Sequence, residues 1–338
     1  MGRNITIKDI AQHTGLSITT VSRALNSNYP VSSDARKKIE EAVSELGYRP
    51  NLVARSLKSN NTNTIGFVVA DISNPFFMKV AKGLEEELVK KGYQIILASS
   101  DGDAEKERDI LRMFLERRID ALVLASSDTS AEMVSNVIDS DIPVILVDRI
   151  IEGINVDVFT DDNYNAAFEL TKLLIEQGHR DIAFANVMLG ISSGKERLEG
   201  ALSAMKTCGI PVNKEWISES QFTSEEAEAW IYHLFAGNSK HPTSIFCANN
   251  IVAEGVMVAC KALKLRIPED ISVVSYGEIS MQALIEPKIT HAKQEPYVMG
   301  GIVAKQLLKH IRQREKYDPV TFRMPVKIIV QGSIKTIK

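Results

Sequence analysis

The chain has 338 residues, of which 44% are hydrophobic and 25% are charged, so it can form more than one domain and has the composition of an ordinary soluble protein. Its net charge of −3 is unevenly spread, because residues 1–60 carry +4 and the remainder carries −7. No segment has the length of a signal peptide or membrane span, and three distant cysteines exclude a disulfide framework and predict buried thiols in a cytoplasmic protein without membrane contact.

Residues 9–25, DIAQHTGLSITTVSRAL, predict two short helices joined by a tight turn. Gly15 can take the left-handed conformation of the turn, and Ser17 stands where the N-cap of the second helix belongs. One side of each helix is apolar, through Ile7, Ile10, Ala11, Val21, Ala24 and Leu25. A second helix that points Ile18, Thr19, Ser22 and Arg23 outward is suited to a DNA major groove. An ordinary helical hairpin is the alternative.

A third helix and a linker follow. Ser32 and Ser33 open the helix, whose Ile39, Val43 and Leu46 repeat along one face, and Gly47 ends it. The linker, residues 50–63, reads PNLVARSLKSNNTN. Its LVARSLK segment forms barely two helical turns, which is too short for a helix that is stable alone in water.

From residue 64 onward, short apolar runs alternate with helical stretches. The predicted strands are residues 65–70, 94–98, 121–125, 144–147, 182–186, 244–248 and 271–275. The predicted helices are residues 75–91, 104–117, 130–140, 193–207, 223–236 and 251–263. Repeated βα units predict an α/β body of two doubly wound lobes with parallel sheets. A ligand would bind between them, at the carboxyl ends of the strands.

The order of several motifs carries a family resemblance. TIKDIA, GLS, TTVSRALN and VSSDARKKIEEAVSELGYRPNLVARSLKS are followed by NPFF, GHR, RLEG and a closing strand, so the match covers nearly the whole chain. In this order the motifs resemble the lactose-repressor/galactose-repressor (LacI/GalR) family. The resemblance implies a three-helix helix-turn-helix headpiece (1–49), a hinge helix and linker (50–63) and a periplasmic-binding-protein-like body (64–338). Its N-lobe would span about 64–160 and 292–324, and its C-lobe about 161–291 and 325–338.

The resemblance also implies how double-stranded operator DNA is bound. A homodimer would place two headpieces on the operator, with paired hinge helices in the minor groove and Leu57 inserted between base pairs. Packing of Leu57 on the body is the alternative. The residues expected to contact DNA are Thr6, Ser17, Ile18, Thr19, Thr20, Ser22, Arg23, Asn26, Arg55, Leu57 and Lys58.

Candidate effector residues lie where the body's strands end. Phe76 and Phe77 could stack on a ligand ring or belong to the core. Ser193 and Glu196 fit a capping box, which would put Arg197 in the first turn of a helix facing the cleft. A surface ion pair of Arg197 with Glu196 or Glu199 is the alternative. The remaining candidates match family pocket positions: Arg149, Phe222, Asn249 and Glu278.

The sequence departs from the family at two pocket positions. Many relatives have Asn-Asp where this chain has Asn249-Asn250, and Gly-Phe-Asp-Asp where it has SYGE at 275–278, so a carboxylate is missing at Gly277. Arg149 and Arg197 would then lack a carboxylate neighbour, which favours an anionic effector such as a sugar acid or sugar phosphate. The alternative is a neutral sugar, with Glu278 in place of the missing carboxylate.

The predicted function is a repressor of carbohydrate-metabolism genes that a small effector releases from DNA. A global catabolite regulator controlled by a phosphoprotein partner is an alternative, and so is a solute-binding transport protein. The basic head argues against transport. The chain offers no nucleophile–base–acid set, and Gly190 to Lys195 is one residue short of a phosphate-binding loop, so we expect neither an enzyme nor a cofactor or metal site.

Overall fold

A computed structural model describes residues 5–25, 31–48, 61–127, 131–185, 189–219, 223–236, 240–313 and 318–337. The chain forms two compact units, Met1–Thr62 and Asn63–Lys338. Five of the predicted binding residues lie outside the described ranges: Asn26, Arg55, Leu57, Lys58 and Phe222. The predicted limits of headpiece, hinge and lobes stay predictions.

The described residues of the first unit form three helices, α1 (Ile7–Thr14), α2 (Ile18–Leu25) and α3 (Ser33–Leu46). α1 ends at Gly15, whose φ of +70° is the left-handed conformation expected for the turn. Ser32 caps α3, since its side chain accepts a hydrogen bond from the backbone N of Ala35. The three helices enclose a small core of Ile10, Ala11, Val21, Ala24, Ile39, Ala42 and Tyr48.

The second unit has two lobes, each built on a sheet of six strands in the described residues. The strands of the first lobe are β1 (Thr64–Val69), β2 (Gln94–Ser99), β3 (Ala121–Leu124), β4 (Val144–Val147), β5 (Asp157–Asp161) and β11 (Thr321–Met324). They are all parallel, in the order β11-β5-β4-β3-β1-β2. The helices of this lobe are α4 (Pro75–Val89), α5 (Ala104–Glu116), α6 (Glu132–Asp139) and α11 (Pro296–Gln313).

The second lobe repeats this design. Its strands are β6 (Ile182–Ala185), β7 (Ile217–Ser218), β8 (Ser244–Cys247), β9 (Ser272–Tyr276), β10 (Thr290–Lys293) and β12 (Lys327–Ile329). Their order is β12-β10-β9-β8-β6-β7, and only the pairing of β12 is antiparallel among these strands. Its helices are α7 (Asn163–Glu176), α8 (Ser192–Thr207), α9 (Ser224–Leu234) and α10 (Asn250–Ala262), with short 3-10 helices at Lys214–Trp216 and Gln282–Leu284.

The chain passes between the lobes after β5, returns with α11 and β11, and crosses again to β12. The central strands are buried on both faces, which explains their continuous apolar sequences; Ile65, Phe67 and Ile145 have no exposed surface. The structure confirms a helical head and two α/β lobes with parallel sheets. None of the helices in the described ranges is long and apolar enough to cross a membrane.

Several details differ from the sequence predictions. The predicted strands and helices did not include β5, β7, β10, β11, α7 or α11. β5 reads DVFTD, and its acidic ends obscure the pattern of a strand that is buried along its whole length. The cysteines are not all buried thiols, since Cys208 is exposed while Cys247 and Cys260 are buried. Burial raises the pKa of the Cys260 thiol to about 12.

Candidate functional site

The exposed face of α2 carries four of the predicted DNA-contacting residues: Ser17, Ile18, Thr19 and Arg23. Ser17 is the predicted N-cap, because its Oγ accepts a hydrogen bond of 3.1 Å from the backbone N of Thr20. Ile18 is 50% exposed although it is a large apolar residue at the start of the helix. An exposed apolar side chain beside Thr19 and Arg23 can contact a thymine methyl group and base edges in a major groove.

The side chains of three further residues predicted to contact DNA are half-buried or form hydrogen bonds within the headpiece. Thr20 and Ser22 are half-buried, and the hydroxyl of Thr20 lies 2.8 Å from Ser17 Oγ. Thr6 is exposed and begins α1, where its backbone N and its Oγ1 donate to Asp9 Oδ2 at 2.8 and 2.6 Å. Thr6 is therefore fixed at the helix start, as its place in the sequence suggested.

A cavity of about 300 Å³ lies between the two lobes of the body. Five of the predicted effector residues line it: Phe76, Phe77, Arg149, Arg197 and Asn249. The structure does not bring Glu278 to this cavity; its side chain is exposed, so the expected substitute for the missing carboxylate is misplaced. The two phenylalanine rings meet edge to face with centroids 5.2 Å apart, and both also belong to the core of the first lobe.

Three helix N-termini converge on the cavity, and each N-cap residue lines it. Asn74 caps α4, Thr223 caps α9 and Asn249 caps α10, through side-chain oxygens that accept backbone N–H groups at 3.0, 3.2 and 2.8 Å. Parallel strands followed by helices place these N-termini on one edge of each sheet. The backbone dipoles favour a ligand that presents hydrogen-bond acceptors or negative charge.

Arg197 is a buried and fixed cation at the cavity wall, with 4% of its surface exposed. Its Nε donates to Asn163 Oδ1 at 2.8 Å, and its Nη1 donates to the carbonyl of Ala248 at 2.9 Å. The guanidinium carbon lies 3.8 Å from the ring centroid of Tyr276. These contacts fix the orientation of the guanidinium group at the cavity wall.

The prediction that the two arginines lack a carboxylate neighbour is wrong. Asp148 Oδ1 lies 3.6 Å from Arg197 Nη2, and Asp148 Oδ2 lies 3.7 Å from Arg149 Nε. Arg149 also donates to the carbonyl of Ser126 at 2.6 Å. Burial lowers the pKa of Arg149, and the nearby Asp148 carboxylate opposes that shift. One buried carboxylate thus offsets part of the positive charge that motivated an anionic ligand.

The predicted capping box at the start of α8 is also wrong. The N-cap is Ile191, and no side chain caps the helix there. Ser192 Oγ instead accepts a hydrogen bond of 2.7 Å from the backbone N of Ile150, across the lobes. Glu196 is bound by both terminal nitrogens of Arg323 at 2.7 and 2.8 Å, so it pairs with Arg323 and not with Arg197. Because α8 begins at Ser192, Arg197 lies in its second turn.

Sequence reasoning missed three residues that shape the site: Asp148, Asn163 and Gln294. Asp148 directly follows the apolar strand β4, and Gln294 directly follows β10, so their positions at strand ends could have indicated both. Asn163 gave no such signal, because it starts the unpredicted helix α7. Gln294 Nε2 donates to Asp161 Oδ2 at 2.5 Å. Burial raises the pKa of Asp161 to about 6.

Two family profiles match the chain. Residues 6–51 match "Bacterial regulatory proteins, lacI family", and residues 62–330 match "Periplasmic binding proteins and sugar binding domain of LacI family". The chain is 36% identical over 334 residues to the HTH-type transcriptional repressor PurR of Vibrio vulnificus, which covers 98% of this chain and 99% of that protein.

Solved structures show the same architecture. The transcriptional regulator CelR in complex with cellobiose is 25% identical and covers 97% of this chain and 99% of its own, with a TM-score of 0.72. The lac repressor dimer bound to operator and the anti-inducer ONPF covers 98% of this chain and 100% of its own, with a TM-score of 0.84. Its 21% identity makes it a likeness of fold alone.

Proposed function

The chain belongs to the LacI family of bacterial transcriptional regulators, and on that premise we propose a dimeric repressor that a neutral, hydroxyl-rich metabolite releases from operator DNA. Members of the family are DNA-binding transcriptional repressors and not enzymes. The finer points of the proposal are the DNA-reading face, the dimer, the effector and the regulated genes. Each rests on its own support.

The DNA-reading face is supported by the exposure of Ile18, Thr19 and Arg23 on α2 and by the net charge of +4 in residues 1–60. The match of residues 6–51 to a regulatory-protein profile includes this face. A dimer would set two such faces on a near-palindromic operator. The lac repressor, which shares the fold, is a dimer on its operator.

The position of Asp148 between Arg149 and Arg197 carries the proposal of a neutral effector. A neutral ring with several hydroxyl groups can lie against Phe76 and Phe77 and exchange hydrogen bonds with Asn249. The profile matched by residues 62–330 includes a sugar binding domain, and the similar CelR was solved with cellobiose. Regulation of carbohydrate-metabolism genes stays a prediction, and the sugar-binding profile and the CelR complex are its support.

A gel-shift titration tests the proposal. DNA selected by the protein from a randomised pool would be challenged with neutral sugars, sugar acids and sugar phosphates. We expect a neutral sugar to weaken the complex, by a coupling free energy of about 1–3 kcal/mol. Release by sugar acids or phosphates alone would favour the anionic effector, and a tightened complex would identify a corepressor. No response to any of them would contradict a sugar effector.

An Arg197→Met variant provides the control for this titration. The substitution removes a cation from the cavity wall and leaves α2 unchanged. We expect the variant to bind the selected DNA as wild type does and to lose its response to the sugar. Equal responses of both proteins would show that the sugar acts elsewhere.

A further inference from the structure

Glu107 is a buried carboxylate of α5 that lies outside the cavity between the lobes. Only 1% of its surface is exposed, and it is not among the residues that line the cavity. Glu105 and Lys106, its neighbours on the same helix, are exposed. Removing a carboxylate from water costs stability unless hydrogen-bond donors and an opposite charge compensate for it, and Glu107 has both in the fold.

Both oxygens of Glu107 bind the loop that follows β3. Oε1 accepts a hydrogen bond of 2.5 Å from the hydroxyl of Ser126, and Oε2 accepts one of 2.5 Å from the backbone N of Ser127. The same two serines bind Arg149, whose Nη1 donates to the carbonyl of Ser126 at 2.6 Å and to Ser127 Oγ at 3.4 Å. Glu107 therefore fixes the two residues that orient the Arg149 guanidinium group.

The negative charge of Glu107 also acts on Arg149. Burial lowers the pKa of Arg149, the carboxylates of Asp148 and Glu107 oppose that shift, and the positive charge of Arg197 adds to it. Three buried carboxyl groups thus act on the two arginines: Asp148, Glu107 and Asp161. Without Glu107 the surroundings of the cavity would carry one negative charge less, and an anion would bind there more readily.

We propose that Glu107 is a positioning residue that acts on the effector from outside the cavity: it orients Arg149 through Ser126 and Ser127, and its charge makes the cavity prefer a neutral ligand to an anionic one. The inference rests on the proposed function, because the ligand is the effector of that cavity. The two effects are separable. A glutamine keeps both contacts, since its amide oxygen can accept the Ser127 N–H group and its NH₂ group can donate to the Ser126 hydroxyl, but it carries no charge.

Calorimetry with matched sugars tests the effect of the charge. The probes are D-glucose with D-glucuronate and D-galactose with D-galacturonate. For the pair that wild type binds, Glu107→Gln should raise the affinity for the acid relative to the neutral sugar by about fivefold or more. Glu105→Gln removes the same charge from an exposed position of α5 and should change this ratio by less than about twofold. A ratio that stays at the wild-type value in Glu107→Gln, even if both affinities fall, would overturn the role of the charge.

Hydrogen exchange tests the positioning and needs no ligand. The Ser127 amide donates to Glu107 Oε2, so its exchange rate reports whether the loop is held. The rate should rise by about tenfold or more in Glu107→Met, which offers no oxygen acceptor, and stay within about threefold of wild type in Glu107→Gln. Equal rates in wild type and Glu107→Met would overturn the positioning.

The inference can fail separately from the proposed function. If wild type binds none of the sugars and acids, the neutral effector is wrong, and inorganic phosphate becomes the probe of the charge. Its binding would be followed by the chemical shift of the Asn249 amide, because Asn249 lines the cavity. Phosphate should bind Glu107→Gln about fivefold or more tightly than Glu105→Gln, and equal affinities would overturn the role of the charge.

Discussion

Asp161 shows how the environment of one residue sets the charge of the cavity wall. Its carboxyl group accepts a hydrogen bond from Gln294 and lies near Arg197, and both interactions favour the ionised form. Burial is the larger effect, and it raises the pKa to about 6. The folded protein therefore favours the protonated carboxyl group more than the unfolded chain does, which ties stability to pH.

The first prediction concerns this pH dependence. Because the folded-state pKa of Asp161 is raised, its stabilising contribution is complete below about pH 4 and is lost as the pH rises through about 6. Asp161→Asn should therefore melt at a higher temperature than wild type at pH 8, by the equivalent of a few kcal/mol at most, and the difference should shrink at pH 5. Thermal denaturation of both proteins at pH 8 and pH 5 measures this difference in melting temperature.

Asp270→Asn is the control, because its effect on stability at pH 8 should have the opposite sign. The pKa of Asp270 is lowered, chiefly by its hydrogen bonds with Arg266, so the variant should lose stability at pH 8. A pH-independent difference between Asp161→Asn and wild type would contradict the prediction.

A second prediction at this scale concerns DNA reading by Arg23. The side chain is exposed on α2, and an arginine that contacts a guanine edge contributes about 1–3 kcal/mol of discrimination. Arg23→Ala should weaken binding and relax the preference at one base pair in selections from randomised DNA. Lys37→Ala, on the exposed side of α3, should instead weaken binding to all sequences alike. An unchanged sequence preference in Arg23→Ala would show that Arg23 does not read a base pair.

At the scale of elements, α4 and α11 pack with their backbones in contact. A Cβ at Gly300 would lie 2.1 Å from the carbonyl oxygen of Val80, and one at Gly83 would lie 2.0 Å from that of Tyr297. Both glycines therefore allow the two helices to approach closely. The helices belong to segments more than 200 residues apart, so this contact fixes the returning chain to the first lobe.

Neighbouring glycines of α11 provide the third prediction. Gly300→Ala should destabilise the body by about 1–3 kcal/mol, because a backbone oxygen cannot give way as a flexible side chain can. In Gly301→Ala the nearest atom to the added Cβ is the carbonyl oxygen of Gly83, at 4.0 Å, so the substitution should stabilise the helix by about 0.5–1 kcal/mol. Urea denaturation of the two variants should shift the midpoint in opposite directions. Equal shifts would show that the close approach is not needed.

At the scale of the whole molecule, polar contacts join the two lobes next to Arg197, which lines the cavity. Glu196 of α8 binds Arg323 of β11 through two contacts, and Asn163 Nδ2 lies 3.3 Å from the same carboxylate while its Oδ1 accepts from Arg197. The hydrogen bond from the Ile150 amide to Ser192 also joins the lobes. A ligand at Arg197 would therefore be two hydrogen bonds away from the ion pair between the lobes, and we expect its binding to be coupled to the lobe arrangement through these adjacent groups.

The fourth prediction tests this coupling through hydrogen exchange. The half-exposed Glu196–Arg323 pair should be worth about 0.5–1 kcal/mol. Arg323→Gln should therefore raise the exchange rate of the Ile150 amide by about two- to fivefold. Arg266→Gln breaks a similar bidentate pair, with Asp270, inside the second lobe and should leave that rate unchanged. Equal effects of both variants, or no effect of Arg323→Gln, would show that the pair does not hold the lobes.

The relatives agree with the predicted class of protein. Their similarity along nearly the whole chain confirms a LacI-family transcriptional repressor and not an enzyme. The roles of individual residues in DNA and effector binding stay predictions. The regulated genes and the anionic effector were inferred from sequence alone, and the physical motive for an anion is weaker because Asp148 lies between Arg149 and Arg197.

The sequence by itself determined the elements whose signals are local. Caps at Ser17 and Ser32, the turn at Gly15 and the apolar strands depend on residues only a few positions apart, so the pattern predicts them. The strand ends that hold Phe76 and Asn249 in the cavity wall follow from the same patterns. β5 was not predicted, because its buried charged side chains have hydrogen-bond partners that only the folded chain supplies, such as Gln294 for Asp161.

Only the tertiary structure decided the charge balance of the cavity. Asp148 reaches Arg197 from a different lobe, Glu196 pairs with Arg323 from β11, and Gln294 fills the space beside Gly277. These partners are separated by between 17 and 127 residues in the chain, so no spacing rule could relate them. Electrostatic interactions depend on distance in space and on burial, and both are properties of the folded chain.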